Sequence, residues 1–274
     1  MKKRIFYNCF ISLLLFLLLP LGAQADTPET VALPIFMYHS LSGAGGSSIS
    51  AEAYEADLKY LAENGYSAVT FAQLVDFVYH AKPLPPKPVV LTFDDGYYNN
   101  LAQGLPLAIQ YSMPMVIAII GRDTEIWSEN PSPDLRNGHL TWGEISTMLD
   151  SGYVEIANHT WDLHKNAHGR KGVQKKVGES VETHQQILKA DLGKLQEALA
   201  ENCGISPVGF VYPFGATCPH ALEILKEMGF LITVTCSEKV NTITQGQPQS
   251  LFELGRYNRT PDRSVASVLS EEEH

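Results

Sequence analysis

Short apolar runs alternate with amphipathic segments along most of the chain. Leu33 to Tyr38, Ala68 to Thr70, Val89 to Phe93, Met115 to Ile120, Val154 to Ala157, Val208 to Tyr212 and Leu231 to Thr235 read as short buried strands, with a shorter run near Leu254. Helical patterns fill the gaps. Tyr54, Leu58 and Leu61 share one face of a helix that Ser50 caps and Gly65 ends. Further helices are predicted from Phe71 to about Tyr79, around Leu101 to Tyr111, from about Val181 to Ala200, and from Pro219 to Met228. Thr141 and Glu144 form a capping box ahead of Trp142, Ile145, Met148 and Leu149. The glycine- and serine-rich stretch Gly43 to Ser48 and the polar stretch from Gly121 to about Leu140 read as loops, Lys82 to Pro88 as an extended connection, and the segment after His164 through Lys176 as an exposed basic loop.

Strand-then-helix repetition implies parallel strands joined by crossover helices. Six to eight such units predict an α/β fold, a distorted (β/α) barrel of about seven parallel strands in a single domain. An open doubly wound sheet is the alternative, but no glycine-rich phosphate turn follows any strand.

The first residues stand outside this pattern. Met1 to Arg4 is basic, Ile11 to Leu19 is apolar, and Ala23-Gln24-Ala25 has the small-x-small form of a cleavage site. Residues 1–25 therefore read as a signal peptide, with 26–274 as the catalytic domain; an uncleaved membrane tether is the other reading. No later segment is long enough for an integral membrane span. The expected location is secreted, periplasmic or associated with the cell surface. Removing 25 of the 274 residues takes away three basic and no acidic groups, so the formal charge moves from −10 to −13. Such acidity weighs against a nucleic acid partner. Cys203, Cys218 and Cys236 are too scattered for a zinc ribbon and read as small buried residues, with one bridge allowed by export.

The candidate chemistry sits where strands end. Asp94 and Asp95 close the Val89 run, His159 and His164 follow the Val154 run, and Tyr212-Pro213-Phe214-Gly215 closes the Val208 run. In a β/α barrel these positions share one rim. One Asp and two His suit zinc or a similar divalent metal, and a second carboxylate stays free to act as a base. The combination points to metal-assisted hydrolysis.

Thr92-Phe93-Asp94-Asp95-Gly96 resembles the first motif of the polysaccharide deacetylase family, the carbohydrate esterases with a nodulation-type deacetylase domain. His159-Thr160-Trp161-Asp162-Leu163-His164 is similar to the second motif, with its histidines five apart as in the biofilm poly-N-acetylglucosamine deacetylase subgroup. The resemblance spans about Leu33 to Arg256. It implies that Asp95, His159 and His164 hold a divalent metal ion, with Zn2+ the expected one, that Asp94 is the catalytic base, and that the Phe214 amide donates to an oxyanion.

Two departures stand out. Val211 occupies the family's arginine position, with Arg256 open either as its substitute or as a separate ion pair. No histidine that could serve as the family's general acid follows Leu231, so His39, ending the first strand, is expected to take that role in a circularly permuted arrangement; a buried structural histidine is the other reading. Tyr97, Tyr98, Trp142, Trp161 and Tyr212 are aromatic candidates near the rim, of which Trp161 and Tyr212 are expected to meet substrate. His168, His184 and His220 read as surface or helix residues. The implied partner is an acetylated glucosamine polysaccharide. Deacetylation of peptidoglycan, chitin or acetylxylan, and glycan binding without turnover, remain alternatives.

Overall fold

A computed structural model describes residues 27–272; the proposed signal peptide lies outside the described residues. Seven strands run parallel: β1 (Ile35–Tyr38), β2 (Ser67–Ala68), β3 (Pro88–Asp95), β4 (Met115–Ile119), β5 (Val154–Asn158), β6 (Gly209–Val211) and β7 (Ile232–Val234). The short β8 (Tyr257–Asn258) is an eighth. Their spatial order is β7-β6-β5-β4-β3-β1-β8, with β2 alongside the start of β3.

The segment that carries β8 joins the two ends of this series. Leu254 bridges Val234 of β7, and three residues on Tyr257 and Asn258 pair with Phe36 and Met37 of β1. A distorted (β/α) barrel results, as the pattern predicts.

Strand alternation divides the core in two. Val90, Val116, Ala118, Ala157, Val211, Ile232 and Val234 form an inner cluster. Leu91, Phe93, Ile117, Ile119 and Ile156 pack outward with Tyr54, Leu58 and Leu61 of helix α1 (Ala51–Glu63). Helix α2 (Phe71–His80) adds Phe71, Leu74, Phe77 and Val78 to the inner cluster. Its Phe71 ring lies 2.4 Å from where a Cβ on Gly209 would stand, so α2 stops the barrel end at which strands begin. The opposite end is left for chemistry.

Helix α3 (Leu105–Tyr111) is preceded by one π-helical turn, Asn100–Gly104. The stretch after β4 is not the continuous loop expected, because Gly121–Glu129 forms helix α4. Only Gly121 and Thr124 of that helix are buried, so it lacks the apolar stripe that marks a helix in sequence. The Gly43–Ser48 loop is likewise a hairpin, Ser42–Gly45 against Ser48–Ser50, tied by the Ser40, Ser42 and Ser48 hydroxyls and anchored by buried Ile49.

Helix α5 (Trp142–Asp150) carries the predicted capping box. Beyond β5, the basic loop contains a small hairpin, Asn166–Ala167 against Arg170–Lys171, and is not wholly exposed. Arg170 is buried against Glu179.

Helices α6 (Val181–Cys203) and α7 (Pro219–Glu227) cover β6. His184 is not a surface residue; it is fully buried on α6, with Nε2 2.9 Å from the Val173 carbonyl.

Helix α8 (Val265–Glu272) packs on α1. Asp57 of α1 holds this corner together. It accepts from Arg259 Nε at 2.6 Å, from the Tyr38 hydroxyl at 3.2 Å and from the Val265 amide at 3.2 Å. The three described cysteines are free thiols. No helix among the described residues is long and apolar enough to cross a membrane.

Candidate functional site

β3 ends on consecutive aspartates, and the pleat sends their side chains apart. Asp94 continues the inner face of Val90 and Thr92. Asp95 takes a left-handed backbone, φ 72°, a conformation non-glycine residues adopt at a cost of about 1–3 kcal/mol and chiefly at functional sites. Thr160 at φ 77° and Phe214 at φ 58° do the same in the loops after β5 and β6. The turns after β3, β5 and β6 thus each hold a left-handed non-glycine residue.

His159 follows directly on β5 and is buried. Its Nδ1 lies 2.7 Å from the Val211 carbonyl, which makes that nitrogen the donor and leaves Nε2 with its lone pair. Nε2 of His159 is 3.7 Å, and Nε2 of His164 3.6 Å, from the same Asp95 oxygen. These three atoms all lie within 4.8 Å of one another, and the Asp95 Oδ1 is buried with no hydrogen-bond partner. A buried anionic oxygen left unpaired and facing two imidazole nitrogens fits a divalent cation of borderline hardness. The residues thus form a possible metal site.

Asp191 of α6 holds the loop between the two histidines. Its carboxylate accepts the Trp161 amide at 2.8 Å and the Asp162 amide at 2.9 Å. Burial pushes the Asp191 carboxyl up to about 6 in spite of those two bonds. The one trace of it in sequence is a carboxylate placed between Leu188 and Leu195 on the buried stripe of α6.

Asp94 meets Arg256 instead. The guanidinium donates Nη1 to Asp94 Oδ1 at 2.7 Å and Nη2 to Oδ2 at 2.8 Å. Its remaining donors reach the Thr235 carbonyl, Thr92 Oγ1 and the Cys236 sulfur, so all five N–H groups of a fully buried side chain are used. Burial raises the Asp94 pKa, but Arg256, His159 and His39 outweigh it and hold the carboxyl well below the usual range. Arg256 thus reaches Asp94 from the barrel seam, while Val211 lies on the inner face of β6.

His39 follows β1, half-buried, with Nδ1 out of contact with any partner and its field acting on Asp94. Tyr97 stacks on His139, whose Nδ1 is 3.0 Å from the Asp95 carbonyl. Burial and the Asp95 carboxylate push the Tyr97 hydroxyl up to about 12. Phe214 stands at the mouth, its ring 4.4 Å from that of His164.

The two aromatics expected to meet substrate have other neighbours. Tyr212 shares the outward face of β6 with Phe210 and is fully buried against the α6 and α7 layer. Trp161 lies against Gly121 and Leu195 with the Lys194 ammonium 3.9 Å from its ring centre.

His159 makes a pH prediction. Burial lowers its pKa to about 4 from an ordinary 6.5. The unfolded chain then binds the extra proton between those values, so acidification through that window destabilises the metal-free fold, by about 3 kcal/mol at the limit. Urea unfolding at pH 6.5 and pH 4 should show a loss that His159→Gln largely removes. An equal loss in both proteins would count against it.

A (β/α) barrel with an Asp-His-His cluster at its strand ends and a separate buried Asp-Arg pair is a scaffold suited to metal-assisted hydrolysis. The polysaccharide deacetylase profile matches residues 81–232, more than half of the chain, and the chain belongs to that family. It is similar to the poly-beta-1,6-N-acetyl-D-glucosamine N-deacetylase of Escherichia coli (strain K12), at 29% identity over 205 residues. That match covers 67% of this chain and 30% of the relative, so the chain spans less than a third of its length. Among solved structures, IcaB from Ammonifex degensii superposes with a TM-score of 0.73 at 26% identity, covering 87% of this chain and 96% of that one. A de-N-acetylase from Aggregatibacter actinomycetemcomitans shares the fold, with a TM-score of 0.74 at 24% identity and coverage of 88% and 99%.

Proposed function

We propose that this protein is an exported, metal-dependent N-deacetylase that hydrolyses acetamido groups of a poly-N-acetylglucosamine chain and releases acetate. One observation carries the reading. A single unpaired oxygen of Asp95 faces both imidazole Nε2 atoms, while its neighbour Asp94 is held apart by Arg256. Ligand and base are thereby separated.

Asp95, His159 and His164 would hold a divalent ion, with zinc the best match to this donor set. When bound, the ion supplies Lewis-acid polarisation and a lowered pKa for water. Asp94 accepts the proton of the attacking water, and Arg256 keeps it ionised and oriented. The Phe214 amide donates to the oxygen that gains charge. His39 gives a proton to the departing nitrogen, arriving from β1 because β1 adjoins the last strand across the seam. The basic and apolar run in residues 1–25 supports export to the periplasm or cell surface.

The test is acetate release by the purified protein from β-1,6-linked N-acetylglucosamine oligomers, with peptidoglycan, chitin and acetylxylan in parallel. Release should be greatest on the first, stop on chelation and return with zinc. Faster release from one of the other polymers would move the substrate assignment there. Binding without any acetate would make the protein a glycan-binding member of the family.

A further inference from the structure

The hairpin beside the site presents a cation that the catalytic scheme leaves unused. Arg170 is buried against Glu179, and Gly172 lies so close to the motif turn that an added Cβ would stand 3.0 Å from the Pro213 carbonyl oxygen. Lys171 lies between these two fixed points, exposed, with Nζ 5.9 Å from the centre of the Phe214 ring. That ring in turn lies 4.4 Å from the His164 ring.

Two of its basic neighbours are engaged elsewhere. Lys165 pairs with Asp162 at 2.6 Å, and Lys175 donates to the Glu179 carbonyl at 2.6 Å. Among the described residues, Lys171 joins no ion pair. Its field reaches inward as far as the Cys236 thiol, which it lowers slightly against the larger upward push of burial. A positioned positive charge at the mouth is the reverse of a chain whose formal charge is −10.

We propose that Lys171 makes the mouth sensitive to the charge of the sugar unit next to the one being processed, accepting a neutral N-acetylglucosamine and disfavouring a protonated glucosamine. The inference rests on the deacetylase reading above. Each turnover replaces a neutral acetamide with an amine that is largely protonated at neutral pH. A chain threaded past His164 brings the adjacent unit within about one Debye length of the Lys171 ammonium, roughly 8 Å at physiological ionic strength. Two like charges at that range and at surface dielectric, screened over one Debye length of salt, alter binding about fivefold. Deacetylated units are therefore spaced along the product rather than laid down in blocks.

The experiment uses three oligomers with the same reacting acetamido unit, whose neighbour is N-acetylglucosamine, glucosamine or glucose. The readout is the ratio of kcat/KM between the glucose and glucosamine neighbours, taken within each protein. In the natural protein the glucosamine neighbour is expected to be about fivefold worse, less so in high salt. The ratio should approach one in Lys171→Met and invert in Lys171→Glu. A ratio unchanged across the three proteins overturns the proposal, as does a glucose neighbour that performs as poorly as glucosamine, since the penalty would then belong to a lost acetyl contact. Absence of acetate from the fully acetylated oligomer would instead overturn the deacetylase reading itself.

Discussion

Arg256→Met is expected to cost the fold about 3–5 kcal/mol, because it strands the Asp94 carboxylate in the barrel interior with its bidentate partner gone. The same change should move the acid limb of the pH–rate profile upward. With Arg256 absent, burial dominates the Asp94 pKa and the base stays protonated to higher pH. Pairing it with Asp94→Asn should recover much of the stability, since no buried charge is then left unpaired, but none of the activity. Urea denaturation of the two single variants and the double variant gives the coupling directly. Independent, additive losses would show that the two side chains do not act as a pair.

Asp94→Asn alone should reduce acetate release by about 10²–10⁴-fold, the usual contribution of a positioned base, with metal content unchanged. The amide keeps one oxygen to accept from Arg256, so the site remains assembled while the proton acceptor is gone. Asp95→Asn should show the opposite balance, with metal lost as well as turnover. Elemental analysis alongside kinetics separates the two. Metal loss in the Asp94 variant would exchange the roles of the neighbouring aspartates.

Most of the barrel was legible because its strands are buried on both faces and read as near-continuous apolar runs, as in Val89 to Phe93 and Met115 to Ile120. Helices with an apolar stripe and a cap, such as those after Ser50 and Thr141, were legible for the same reason. Helix α4 escaped because it buries only Gly121 and Thr124.

The Asp95, His159 and His164 grouping could be read from motif residues at strand ends, since strand register alone brings them to one rim. Tyr212 misled because a one-residue step along β6 decides between pocket and helix layer. The Trp161 ring packs on Gly121, a contact that depends on helix α4, which has no apolar stripe to mark it in sequence. Asp57 with Arg259 and Asp191 with the histidine loop left almost no trace. Their partners are backbone amides or residues remote along the chain, and neither kind of contact has a sequence period.

The seam has a consequence for how the site is put together. His39 arrives with the first barrel strand and Arg256 with the last, and only the short stretch from Leu254 to Asn258 brings them to the same rim. Asp95, His159 and His164 lie at strand ends upstream of that stretch, whereas the guanidinium that Asp94 faces lies within it. Removing Leu254 to Asn258 would therefore unpair Asp94 while leaving the three metal-site residues at their own strand ends.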